Sequence, residues 1–281
     1  MHDLVDTAWL AAHLGDENLV VADIRWQHGQ PDFGREAFEA GRIPGAVRLD
    51  LDTDLSDLSD ASRGRHPLPD PHHLVAALAR VGIGEGTRVV AYDDAAGAVA
   101  VRLWWLLRWL GLRGFGFVLD GGIAKWFAER RTVESGPAPA PAPHPRPLAP
   151  RVRDELTVSR ADVSRAEALG LVLLDARAPE RYRGEIEPID ARAGHIPGAV
   201  NAPFTNNLTG DAAPVYRSPE ELRAGFARLG VEPGDGPRVV CTCGSGVTAC
   251  HDLLALELAG IRGARLYPGS WSEWIANQGS A

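Results

Sequence analysis

Short apolar runs recur along this chain, and each is followed by a stretch with helical character. Leu19-Val20-Val21-Ala22 and Val172-Leu173-Leu174 are unbroken apolar runs, the pattern of a parallel strand buried on both faces. Arg238-Val239-Val240 reads as a third such strand, and Ala249 to Ala259 behind it as an apolar helix. Asp70 before Pro71 and Ser218 before Pro219 read as helix N-caps with proline at the first helical position, where its missing N–H is not needed. Glu221, three residues after Ser218, completes a capping box. Strands alternating with helices predict an α/β fold with a mostly parallel sheet covered by helices on both faces.

The pattern occurs twice. Val20-Val21-Ala22-Asp23-Ile24-Arg25 corresponds to Val172-Leu173-Leu174-Asp175-Ala176-Arg177. Ala40-Gly41-Arg42-Ile43-Pro44-Gly45-Ala46-Val47 corresponds to Ala193-Gly194-His195-Ile196-Pro197-Gly198-Ala199-Val200, and Arg88-Val89-Val90-Ala91-Tyr92 to Arg238-Val239-Val240-Cys241-Thr242. The offset stays at about 150 residues, which marks a duplicated domain rather than a short solenoid repeat. The expected layout is a domain over 1–133, a linker over 134–150 and a second domain over 151–281. Proline alternates through Gly136 to Pro147; it excludes helix and sheet pairing there and predicts an extended polyproline connection.

Composition narrows the function. With 281 residues, 45% of them hydrophobic, the chain can bury two cores. Net charge is −8 and the 29 basic residues are scattered, which argues against nucleic acid as a partner. Met1 to Asp6 has no basic flank and no long apolar run, so no signal peptide is expected. The most apolar window, Leu103 to Leu112, is interrupted by Arg108 and is too short to span a bilayer. Three cysteines cannot all pair, and a cytoplasmic location fits them best. Cys241-Thr242-Cys243 has no second pair to make a zinc site, so neither metal nor organic cofactor is expected.

Chemistry concentrates in Cys243-Gly244-Ser245-Gly246-Val247-Thr248, between the third strand and its helix. Successive N–H groups of such a loop converge on one point and, with the positive end of the helix, favour an anion. The same field favours thiolate over thiol, and Gly244 and Gly246 permit the tight backbone this needs. Aligned on the preceding strand, the first copy carries Asp93 opposite Cys243 and has no cysteine anywhere, so thiol chemistry belongs to the second copy. Cys250 reads as a packed core residue, His195 as a turn residue opposite Arg42, and Trp104, Trp105 and Trp109 as helix packing.

This loop resembles that of the rhodanese family, in particular the two-domain sulfurtransferases acting on 3-mercaptopyruvate or thiosulfate. Cys243 to Cys250 matches the mercaptopyruvate-type signature; thiosulfate-preferring members show Cys-Arg-Lys-Gly-Val-Thr instead. Gly41 to Ala46, Gly194 to Ala199, Leu119-Asp120-Gly121-Gly122 and Tyr267 to Trp274 also match. The resemblance implies a tandem of two rhodanese-like units. It also implies attack of the Cys243 thiolate on a donor's outer sulfur, a Cys243 persulfide, and delivery to a thiol acceptor such as thioredoxin, or to cyanide. It nominates Ser245 with His66 and Asp52 of the first domain as the proton-handling group. For donor binding it nominates Arg181; Arg183 joins it because both follow the end of a strand, a usual place for ligand contacts, and the loop residues Gly244, Gly246, Val247 and Thr248 supply amides. The family's second carboxylate-binding arginine follows a Glu-Pro pair; here Glu187-Pro188 leads to Ile189-Asp190, and Arg192 is either its replacement or a solvated side chain. Cysteine-dependent phosphatases share the general fold, but they need an arginine where Ala249 stands. A persulfide carrier or sensor without turnover is the non-enzymatic alternative.

Overall fold

The computed structural model describes residues 3–112, 114–137 and 147–277. The proline-alternating run, expected to form the linker, lies largely outside them. The first sheet is built from β1 (Leu4–Val5), β2 (Leu19–Asp23), β3 (Val47–Arg48), β4 (Arg88–Tyr92) and β5 (Gly116–Leu119). Interleaved with these are α1 (Thr7–His13), α2 (Phe33–Ala40), α3 (Pro71–Arg80), α4 (Ala100–Trp109) and α5 (Gly122–Ala128). All its strand pairs are parallel, in the order β1-β5-β4-β2-β3. Asp70 caps α3 by accepting from the His72 and His73 amides at 2.8 and 3.1 Å.

The second sheet repeats the plan. Its elements are α6 (Arg160–Val163), β6 (Val172–Asp175), α7 (Pro179–Arg183), β7 (Val200–Asn201), α8 (Pro219–Ala227), β8 (Val239–Thr242), α9 (Ala249–Leu258), β9 (Arg265–Leu266) and α10 (Ser270–Ala276). The order β7-β6-β8-β9 is again parallel, and Thr157 bridges Leu266 where β1 stands beside β5 in the first copy. Ser218 and Glu221 form the expected capping box on α8.

Phe38, Tyr92, Phe117 and Trp126 anchor the core around the first sheet, and Leu173, Ile196, Val240, Tyr267 and Trp271 that around the second. Each sheet also carries a buried acid–arginine pair, at the ends of β2 and β6. Asp23 and Asp175 bind Arg25 and Arg177 at 2.6 and 2.8 Å, and each arginine reaches on to a glycine carbonyl, Gly41 or Gly194. A buried guanidinium is costly unless paired, and this pairing fixes the Gly-x-Ile-Pro-Gly turn in both copies.

The described residues fall into two compact units whose division departs from boundaries at 133 and 151. Asp57–Leu68, from the N-terminal half, belongs to the second unit with Asp154–Thr209 and Tyr216 onward, and Gly210–Val215 belongs to the first. Hydrogen bonds explain the first assignment: Ser272 Oγ accepts the Arg65 amide at 3.0 Å, and Asn277 Nδ2 donates to the Ser62 carbonyl at 2.9 Å.

Candidate active site

Cys243 directly follows β8 and opens the loop to α9. The loop is held from the chain segment after β9. Trp271 N–H donates to the Cys243 carbonyl at 3.0 Å, Ser272 N–H to the Gly244 carbonyl at 2.9 Å, and Cys243 N–H to Ser270 Oγ at 3.1 Å. Ser270 lies fully buried at φ +52°, a conformation that a non-glycine residue holds only where its surroundings dictate it. The Tyr267 to Trp274 motif is therefore the clamp of the cysteine loop. Gly246 has φ +76°, and a Cβ there would meet the Pro268 carbonyl; glycine is obligatory on both counts.

A loop amide is aimed at the sulfur: Gly246 N–H donates to Cys243 Sγ at 3.1 Å. Cys243 is buried, as are Gly244, Ser245, Gly246 and Val247, while Thr248 is half-buried. Cys241 and Cys250 differ from it. Burial pushes the Cys241 thiol well up, with Asp252 adding to the effect, and Cys250 donates its S–H to the Gly246 carbonyl at 3.4 Å. All three cysteines are free thiols.

The Asp57–Leu68 segment brings His66 to the loop. His66 is buried, and its Nδ1 lies 2.8 Å from Ser245 Oγ. A hydroxyl hydrogen-bonded to an imidazole, two residues from the sulfur, can pass a proton to or from a reacting group. Asp52 lies in the first unit, half-buried, and accepts from Trp26 Nε1 at 2.8 Å.

Arg181 stands over the loop. Within 3.6 Å of where a Gly244 Cβ would lie are Arg181 Nη2 and Asp190 Oδ2, with Arg65 Nη2 at 2.9 Å. Arg183 is instead exposed, and both Nε and Nη2 donate to Glu185, at 2.7 and 2.8 Å. Arg65 thus lies beside Gly244 together with Arg181. Arg192 is exposed, and its carbonyl accepts from Trp271 Nε1 at 2.9 Å. His195 packs flat on Tyr182, 3.9 Å between ring centroids, and its Nδ1 lies 2.7 Å from the Tyr182 carbonyl. That is a turn-fixing role.

Sequence reasoning passed over Arg65, Asp190 and the Asp175–Arg177 pair. Arg65 directly precedes His66, and the Asp-x-Arg spacing recurs in both copies, so two of these three left a signal.

In the first copy the same position holds Asp93, whose carboxylate is wholly buried. Ala95 and Gly97 amides donate to its Oδ1 at 2.9 and 2.8 Å, and Val99 and Ala100 amides to its Oδ2, both at 2.8 Å. The silent loop keeps the anion cradle and fills it with its own side chain.

A family model, the rhodanese-like domain, matches residues 6–129 and 161–277. A Pseudomonas aeruginosa protein, named provisionally a 3-mercaptopyruvate sulfurtransferase, is 45% identical over 98% of this chain and 95% of its own length. A Mycobacterium tuberculosis protein, named provisionally a thiosulfate sulfurtransferase, is 38% identical over 98% and 94%. The solved 3-mercaptopyruvate sulfurtransferase of Leishmania major superposes with a TM-score of 0.85 at 30% identity, covering 97% of this chain and 74% of that one. This chain belongs to the rhodanese family, as a two-domain sulfurtransferase. It is an enzyme that moves sulfane sulfur by way of a cysteine persulfide. Among the described residues no helix is long and apolar enough to cross a membrane.

Proposed function

We propose that Cys243 carries the persulfide, that 3-mercaptopyruvate is the preferred donor, and that thiosulfate is a secondary one. The observation that carries this is the buried Cys243 loop with His66 on Ser245 at 2.8 Å. In the first half-reaction the Cys243 thiolate attacks the donor's sulfur and the carbon–sulfur bond breaks. Its electron pair passes to the pyruvate enolate, and the donor's thiol proton ends on that carbon, relayed through Ser245 and His66. The Cys243 persulfide anion remains. Thiosulfate needs no such relay, since sulfite leaves with the electron pair. In the second half-reaction a thiolate, from thioredoxin or a small thiol, or cyanide takes the outer sulfur and restores the Cys243 thiolate. The neutral Gly244-Ser245 pair, in place of the Arg-Lys charges of thiosulfate-type members, supports the donor preference. Three free thiols suit a reducing compartment, and we place the enzyme in the cytoplasm.

Steady-state kinetics with both donors, using cyanide and reduced thioredoxin as acceptors, test the reading. A higher kcat/KM for 3-mercaptopyruvate is expected, with no mass gain of one sulfur on the Cys243→Ser protein. Thiosulfate as clearly the better donor would overturn the preference, and a persulfide on Cys243→Ser would overturn the nucleophile. One equivalent of product followed by arrest would identify a carrier.

A further inference from the structure

An anionic donor approaching Cys243 meets two guanidiniums that already hold a carboxylate. Asp190 is half-buried as a residue, yet its side chain is only 3% exposed. One of its oxygens pairs with Arg65 Nη1, and the other accepts from Arg181 Nη2 at 3.0 Å. Asp190 Oδ2 lies 3.6 Å from where a Gly244 Cβ would be, so the carboxylate sits directly over the residue that follows the nucleophile.

Glu187 fixes this arrangement. It accepts Arg181 Nη2 at 2.7 Å and Nε at 3.3 Å, and its Oε1 also takes the Ile189 and Asp190 amides at 3.1 and 3.0 Å. The resulting turn presents Asp190 to the two arginines. Arg65 and Arg181 face Asp190 and Glu187, so the patch carries no net charge before any donor arrives. Yet both arginines keep about a fifth of their side-chain surface open, 23% and 19%.

We infer that Asp190 is an internal carboxylate that occupies the donor's anion position, so that an anionic donor binds only by displacing it. Asp190 is thereby a specificity-determining residue. It raises the KM for every anionic donor and leaves an uncharged sulfane donor unaffected. This rests on the sulfurtransfer at Cys243 proposed above. A guanidinium released from an internal carboxylate can make a charge-assisted contact to the donor, whose strength converts to about tenfold or more in affinity.

The test compares wild type with Asp190→Asn and Asp190→Ser, each checked for a native circular dichroism spectrum, using 3-mercaptopyruvate, thiosulfate and a neutral dialkyl trisulfide. Expected is a fall in KM of about tenfold for both anions, a kcat within about twofold, and no change in KM for the trisulfide. A turnover-free arm measures protection of Cys243 from iodoacetamide by pyruvate. Half-protection is expected at about a tenfold lower pyruvate concentration in the variants. Unchanged or raised KM for the anions, an equal fall for the trisulfide, or unchanged pyruvate protection would overturn the inference. If wild type turned over neither anionic donor, the proposed function would fall, while the protection arm would still decide the role of Asp190. Asp190→Glu, which keeps the charge, retains the high KM and the weak protection if the inference holds; if neither neutral variant folds, tight pyruvate protection of wild type itself would overturn it.

Discussion

At the scale of single residues, burial separates side chains of similar chemistry. Cys241 and Cys243 are two positions apart, but Cys241 faces the protein interior, where desolvation keeps its thiol protonated, while Cys243 receives the Gly246 amide. Below them on α9, burial pushes the Asp252 carboxyl well above the ordinary carboxylate range; the Asn207 amide at 2.7 Å opposes this, and the Asp175 charge adds to it. Its Oδ2 is among the buried polar atoms without a hydrogen-bond partner. The folded protein therefore holds a proton on Asp252 that the unfolded chain releases above about pH 4. Where the folded state binds more protons, stability falls as pH rises. We predict that Asp252→Asn, which is neutral at every pH, is more stable than wild type near pH 8. That advantage should shrink steadily toward pH 4. Urea unfolding at a series of pH values measures it, and a pH-independent difference would show that Asp252 does not titrate as burial requires.

At the scale of elements, the two strand–loop–helix junctions solve one electrostatic problem in two ways. A loop whose amides converge before a helix attracts an anion; the second copy meets that need with a reacting sulfur and the first with Asp93. Removing the Asp93 carboxylate strands four amides, those of Ala95, Gly97, Val99 and Ala100, in a site where Asp93 itself is 0% exposed. Asp93→Ala is expected to destabilise by roughly 3 kcal/mol or more, since each buried unsatisfied donor costs about 1–3 kcal/mol. Cys243→Ser should cost much less, because a hydroxyl can still accept one amide. A loss below about 0.5 kcal/mol for Asp93→Ala in urea titrations would mean that the cradle relaxes or fills with water. The junctions themselves were legible in the sequence, because apolar runs mark β2, β4, β6 and β8 and the caps mark α3 and α8. Asp93 was read only as a missing cysteine, since backbone donors leave no residue-type signal. The two-residue strands β3 and β7 were visible only as parts of the aligned repeat, being too short for a periodicity of their own.

At the scale of the whole molecule, the chain order of the site differs from the order of the domains. His66 and Arg65 precede Cys243 by 177 and 178 residues, yet the Asp57–Leu68 segment packs as part of the second unit with it. The family resemblance nominates His66 but does not show that its segment joins the unit bearing Cys243, because that depends on tertiary hydrogen bonds to Ser272 and Asn277. Gly64 is the hinge of this docking. Its φ of +104° with ψ of −178° is a backbone state open essentially to glycine, and a Cβ would lie 2.8 Å from the Gly269 carbonyl. Gly64→Ala leaves every side chain of the loop in place but makes the docked segment costlier by about 1–3 kcal/mol. We predict for this variant a kcat with 3-mercaptopyruvate lowered by about tenfold, less than the roughly 10²–10⁴-fold a positioned acid–base group contributes, because docking is weakened rather than abolished. The thiosulfate reaction, which needs no proton delivered to carbon, should fall less. Faster amide exchange confined to Asp57–Leu68 and the clamp that receives it should accompany the loss. Wild-type kinetics together with wild-type exchange would show that docking of this segment does not depend on Gly64, and an equal loss with both donors would remove proton delivery from the role of His66.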